Sequence, residues 1–142
     1  MDGQRSWVLI AVLGSVAGCT PASPSAGTAH GSDGPASARM GADLFNGNCT
    51  ACHQQSGQGI PGIYPSLAGS PTVRGDPKAL ARWVVKGQRP ASMPPGRYST
   101  AMPQFRWLKD ADAAALFTYL RSNFGNHAPP VDPATVASAL GE

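Results

Sequence analysis

Cys49-Thr50-Ala51-Cys52-His53 is the densest grouping of reactive side chains in this 142-residue sequence. Two thiols three residues apart on a helical turn project to one side, and the imidazole that follows is held beside them. A Cys-x-x-Cys pair can cycle between dithiol and disulfide, but no βαβ pattern surrounds this one and a histidine directly follows it. Two thiolates can also be half of a zinc site, but no second Cys or His pair completes four ligands. Covalent haem attachment uses all three residues: each sulfur adds across one vinyl group, and the histidine ligates the iron. Cys49 and Cys52 are therefore expected to carry one haem c, with His53 as an axial ligand of its iron.

A six-coordinate haem iron needs one more ligand, and a methionine thioether raises the reduction potential relative to harder ligands. The sequence has four methionines. Met1 goes with the leader and Met40 precedes the first haem cysteine, which leaves Met93 and Met102. Both precede proline in a stretch from 87 to 105 that reads as loop. A flexible thioether there can close over a haem face, and equally can fill a gap in a core.

The stretch from Met102-Pro103-Gln104-Phe105 through Arg106-Trp107-Leu108-Lys109-Asp110 into a helix resembles the sixth-ligand loop of class I cytochromes c. The resemblance implies that Met102 is the axial ligand and that Met93 lies too early. It also implies an all-α cytochrome c fold, with three to five short helices around one covalently bound haem. Gly41 and Phe45 resemble the small and aromatic positions where the N-terminal helix of that family crosses the C-terminal one, with Leu116, Tyr119 and Leu120 as partners. The family's proline loop is similar to residues 62–69. The resemblance thus implies that the Pro65 carbonyl accepts a hydrogen bond from His53, orienting it and raising its basicity. Residues 65–69 and 124–131 are similar to haem domains of cytochrome subunits that serve membrane-bound periplasmic dehydrogenases. The likeness spans about residues 39–140. Two departures stand out: Lys109 replaces the usual Ser or Thr cap of the last main helix, leaving Asp110 as the expected cap, and only one C-x-x-C-H is present.

The elements that must position these groups are legible as helices. One is expected from about 39 to the haem cysteines, with Met40, Leu44 and Phe45 as its apolar stripe. A second opens with Asp76 as cap and Pro77 at its first position and stops before Gly87. A third runs from about 110 to 124, and a short fourth between 131 and 140 is capped by Asp132. No alternating strand pattern occurs. Trp83, Arg97 and Tyr98 have donors suited to haem propionates.

Three domain segments are expected: a lipoprotein signal peptide over 1–18, a lipidated flexible tether over 19–38, and a haem domain with C-terminal extension over 39–142. Arg5, the apolar run from Trp7 to Val16 and the small residues after it read as a secretory leader, too short to span a bilayer. Val16-Ala17-Gly18-Cys19 resembles the lipobox of bacterial lipoproteins, which implies lipidation of Cys19. A chance cysteine in an ordinary leader is the plainer alternative. Thr20, rather than Asp, favours the outer over the inner membrane, so the expected place is the periplasmic side of a bacterial membrane. The 20–38 stretch is Pro, Ala, Ser, Gly and Thr with almost nothing to bury. His30 lies within it and is assigned no role.

Hydrophobic residues make up 42% and charged residues 13%, with 17 Gly and 14 Pro. That suits a small loop-rich domain that gains core from an internal cofactor rather than a disordered chain. Between 39 and 126, ten Lys or Arg face four Asp, an excess of six positive charges. Such a surface either steers the domain toward acidic partners or only keeps it soluble. The expected partners are redox proteins with acidic docking surfaces (a dehydrogenase, an oxidase or another cytochrome) and a membrane through the lipid anchor, with no nucleic acid. The expected function is electron transfer, not enzymatic catalysis. The alternative is a haem enzyme or gas sensor with an open sixth site, for which His127 is the one unassigned histidine outside the tether.

Overall fold

The caps expected for the second helix are built as the sequence dictates. In the computed structural model, which describes residues 34–141, this helix is Pro77–Lys86. The Asp76 carboxylate accepts from the N–H groups of Lys78 at 2.9 Å and Ala79 at 3.2 Å, and Gly87 ends the helix at φ +73°. Glycine reaches that left-handed conformation without steric cost. The expected leader, Cys19 and His30 lie outside the described residues.

In chain order the helices are α1 (Pro35–Asn48), α2 (Thr50–His53), α3 (Pro71–Arg74), α4 (Pro77–Lys86), α5 (Asp110–Ser122) and α6 (Pro133–Gly141). Among the described residues there is no strand, only an isolated bridge between Ile60 and Tyr64. Six helices exceed the expected three to five because α2 and α3 are single turns of four residues. The all-α class is as expected. No described helix is long and apolar enough to cross a membrane.

α1 starts at Pro35, inside the stretch read as tether. Proline suits the first helical position, where its missing N–H has no partner to lose, and Ala36 and Ala38 then propagate the helix. α5 is capped differently from expectation. The N-cap is Lys109, whose side chain makes no capping bond, and Asp110 is the first helical residue. Asp110 and Asp112 instead place negative charge in the first turn, against the positive end of the helix dipole. Lys109→Ser supplies the missing acceptor and is expected to raise stability by about 1 kcal/mol, read from the urea midpoint.

α1 packs across α5 at Gly41. A Cβ added there would collide with the Ala115 carbonyl oxygen and lie 2.7 Å from the Tyr119 Cβ. Gly41→Ala is accordingly expected to cost about 1–3 kcal/mol through overpacking, measured by thermal denaturation of the haem-loaded protein. Beside the crossing, the Phe45 ring meets Tyr119 at 5.6 Å and Phe124 at 4.9 Å between centroids. Seating Phe124 there requires the chain to turn back. α5 therefore ends at Ser122, two residues before the expected end, and Phe124 takes φ +56° followed by Gly125 at +73°.

The C-terminal extension is strapped to α5. Thr118 Oγ1 donates to the Val131 carbonyl at 3.2 Å and accepts from its N–H at 3.0 Å. Arg121, 4% exposed, donates from Nε to Pro129 O at 2.7 Å. Its Nη1 reaches Val73 O at 2.7 Å and Gly75 O at 2.8 Å, at the C-terminal end of α3. α6 then covers α4 and α5, burying Val136 and Ala139.

Candidate functional site

α2 continues the path of α1 after a break at Cys49, whose φ and ψ are −116° and −28°. The one-turn helix brings Cys49, Cys52 and His53 to the edge of a cleft of about 1090 Å³, counted with its open mouth. Ligand clefts are typically apolar with a few placed polar groups, and this one has that character. α4 and α5 furnish apolar wall residues, among them Leu80, Val84, Leu116 and Leu120.

His53 is 7% exposed, and its Nδ1 lies 2.9 Å from the Pro65 carbonyl oxygen. A carbonyl only accepts, so Nδ1 carries the proton and Nε2 keeps the lone pair with which a neutral imidazole ligates a metal. Burial pushes the His53 pKa below its ordinary value, and the bond to Pro65 opposes that in part. Burial likewise pushes the Cys49 thiol up to about 11, with the neighbouring Cys52 adding to the rise.

The proline loop is tied to the haem motif by backbone bonds. Gly59 N–H donates to His53 O at 2.8 Å, and Leu67 N–H donates to Gly57 O at 2.7 Å. Gly59 sits at φ +64°, and a Cβ there would lie 2.5 Å from the Pro65 carbonyl oxygen. The close approach of the two segments thus requires glycine.

Met102 and Met93 both border the cleft. Met102 is partly buried and packs against the core, just before the point where Phe105 N–H reaches Val84 O at 3.0 Å. The structure therefore gathers Cys49, Cys52, His53, Pro65 and Met102 around one cavity. Cys19 lies outside the described residues. Of the residues with donors suited to propionates, Trp83 and Tyr98 border the cleft, whereas Arg97 is exposed and not part of its lining. His127 is exposed and also lies away from the lining.

Sequence reasoning did not single out Arg89 or Thr72, both of which border the cleft. The Arg89 guanidinium lies 5.1 Å from the centroid of the Trp83 ring. Thr72 Oγ1 and Ser92 Oγ form a hydroxyl pair 2.9 Å apart. Arg89 follows the Gly87 stop by two residues, which was a usable signal. The hydroxyl pair joins residues twenty apart and had none.

The residues present fit a covalently held haem better than their other uses. Among the described residues no group of three or more His, Cys, Asp and Glu stands ready to hold a metal ion. Two thiols and a buried imidazole at an apolar cleft are the donor set that C-x-x-C-H attachment calls for.

The fold and site define a small haem-binding, all-helical class, and comparison with known proteins makes the class specific. Residues 38–124 match the family model for cytochrome c, and the chain belongs to the cytochrome c family. Its cofactor is accordingly haem c, covalently bound, with its iron. One relative is the cytochrome c subunit of the quinone alcohol dehydrogenase of Gluconobacter oxydans (strain 621H), 36% identical over 94 residues, which are 63% of this chain and 19% of that subunit. The corresponding subunit from Gluconacetobacter polyoxogenes is 31% identical over a stretch of the same length. Cytochrome c-552 of Thermus thermophilus is 33% identical over 91 residues, covering 61% of this chain and 69% of that protein. The chain thus spans about a fifth of the length of the dehydrogenase subunits it matches.

Proposed function

We propose that the chain is a single-haem electron-transfer protein in which Cys49 and Cys52 form the thioether links and His53 and Met102 ligate the iron. The observation that carries this is the convergence of all four residues on one apolar cleft, with the proton of His53 already committed to Pro65. When bound, the haem supplies a one-electron ferric/ferrous couple. The protein's part is to hold and shield it. His53 presents Nε2 in a fixed tautomer, and Met102 offers a polarizable thioether that leaves no open position for a substrate. The apolar walls limit water, and Trp83, Tyr98 and Arg89 supply donors at the cleft for the carboxylates of the cofactor.

Electrons are proposed to pass between a periplasmic dehydrogenase, or another donor, and a respiratory acceptor. The dehydrogenase subunits among the relatives support that kind of donor. The proposed location is the periplasmic side of a bacterial membrane, the outer one favoured, with Cys19 as the lipid anchor. The basic excess suits partners with acidic docking surfaces. Electron-transfer rates with an acidic partner are expected to fall steeply as salt rises from low to physiological ionic strength.

Ferric and ferrous absorption spectra of residues 34–142 matured with haem, with and without carbon monoxide, test the proposal. A low-spin spectrum indifferent to carbon monoxide supports it. A high-spin spectrum that shifts readily with carbon monoxide would mean an open iron site and a haem enzyme or sensor.

A further inference from the structure

Asn126 is fully buried at 0% exposure and lies outside the cleft lining, yet three of its hydrogen-bonding positions are filled. Oδ1 accepts from the Gly69 N–H at 2.9 Å, while Nδ2 donates to Leu67 O at 3.0 Å and Leu120 O at 2.9 Å. The Leu120 carbonyl belongs to the last turn of α5, where no helical partner remains for it. The other two partners belong to the loop that carries the Pro65 carbonyl. One polar side chain therefore fastens that loop to the C-terminal end of α5.

We propose that Asn126 is a positioning residue for the axial histidine, acting through residues 65–69. The inference rests on His53 being an iron ligand, as proposed above. The loop carrying Pro65 is moored on two sides. On the haem-motif side, Gly57 O accepts from Leu67 N–H at 2.7 Å, and Gly57 is only four residues beyond His53. On the far side, Asn126 holds Gly69 N–H and Leu67 O from the core, and Arg74 Nη2 donates to Gly69 O at 2.8 Å from the exposed side. The Pro65 carbonyl stands two residues before Leu67, so its reach toward Nδ1 depends on both sides. The turn through Phe124 at φ +56° and Gly125 at +73° aims the Asn126 amide inward. Releasing the Asn126 mooring lets the loop drift from His53, lengthening the bond that raises its basicity.

The test uses haem-loaded Asn126→Ala and Asn126→Asp, with Thr118→Val as the control. Thr118→Val removes a side-chain bridge from the same helix that does not touch residues 65–69. Exchange of the His53 Nδ1–H is followed by NMR in the reduced protein, together with the midpoint potential. Both Asn126 variants are expected to accelerate exchange by about tenfold or more at matched global stability, as for one lost buried hydrogen bond. The midpoint potential is expected to rise, because a less basic His53 favours ferric iron less. Thr118→Val should leave both readouts at the wild-type level. Equal acceleration in the control, or wild-type exchange and potential in the Asn126 variants, overturns the proposal. So does a failure of both Asn126 variants to accumulate as haem-loaded protein while the control does, since Asn126 would then serve the fold alone. Failure of the underlying ligation would appear differently, as a wild-type spectrum without a histidine ligand.

Discussion

Met102→Leu is expected to turn the haem protein from low-spin to high-spin, to admit carbon monoxide, and to lower the midpoint potential, whereas Met93→Leu leaves all three unchanged. The comparison is needed because both thioethers border the cleft, so proximity alone does not choose between them. Leucine nearly conserves methionine's volume, and such swaps usually cost less than about 1.5 kcal/mol, so the fold survives either change. What leucine lacks is a lone pair for iron. Axial ligands set haem potentials over about 0.8 V, so loss of the thioether is expected to shift the midpoint by roughly a tenth of a volt or more. Absorption spectra and a redox titration read both effects. The opposite pattern, with Met93→Leu carrying the change, would move the ligand nine residues upstream. No change in either variant would remove methionine from the iron.

The second large effect is thermodynamic. Arg121→Met is expected to destabilise the haem-loaded protein by about 3–5 kcal/mol, seen as a lowered urea midpoint. Arg121 is almost wholly buried, and its donors serve the carbonyls of Pro129, Val73 and Gly75. Methionine keeps the packing stem but leaves three carbonyl oxygens without this donor, each worth about 1–3 kcal/mol when buried and unmet. Burial lowers the guanidinium pKa while the nearby Asp76 charge raises it, and arginine stays charged throughout the working pH range. Arg121→Lys should recover part of the loss, since an ammonium is a compact charge without the planar fork that meets carbonyls on two sides. Because Arg121 lies outside the cleft lining, indifference to carbon monoxide is expected in both variants.

Much of the fold was legible because short-range chemistry decides it. Asp76-Pro77 and Gly87 bracket α4 through capping groups adjacent in sequence, and Asp132 caps α6 through the Thr135 N–H at 2.7 Å. The crossing at Gly41 was legible from family resemblance, and the side-chain-free contact there gives it a physical reason. The start of α1 was hidden because Pro35 and its alanines carry no apolar periodicity and share their composition with the stretch before them. The α3 turn is too short to show a period. The cap of α5 was misplaced by one residue, since Asp at a helix start serves either as cap or as first-turn charge and only the backbone decides. C-x-x-C-H announced the haem chemistry in five residues. Arg121 and Asn126 did not stand out, because their roles come from neighbours brought close by folding. For Asn126, two of the three partners lie 57 and 59 residues away in sequence.

The packing of α1 against α5 fixes an order of assembly. Cys49 is only 8% exposed in the folded chain, and burial, with Cys52 adding to it, pushes its thiol up to about 11. A thiolate is the reactive form of cysteine, so folding makes the first attachment sulfur less accessible and less reactive. On the proposed attachment, thioether formation belongs to a chain that is still open, before the core around Cys49 has closed. The Cys49–His53 motif directly follows α1, whereas α5 begins only at Asp110, so the reactive segment is synthesised well before the helix that packs across α1. A chain that closed early would become a dead end with unlinked sulfurs. Slow docking of α1 and α5 is therefore an asset in biogenesis, and substitutions that hasten it risk lowering the yield of mature protein while raising the stability of what is made.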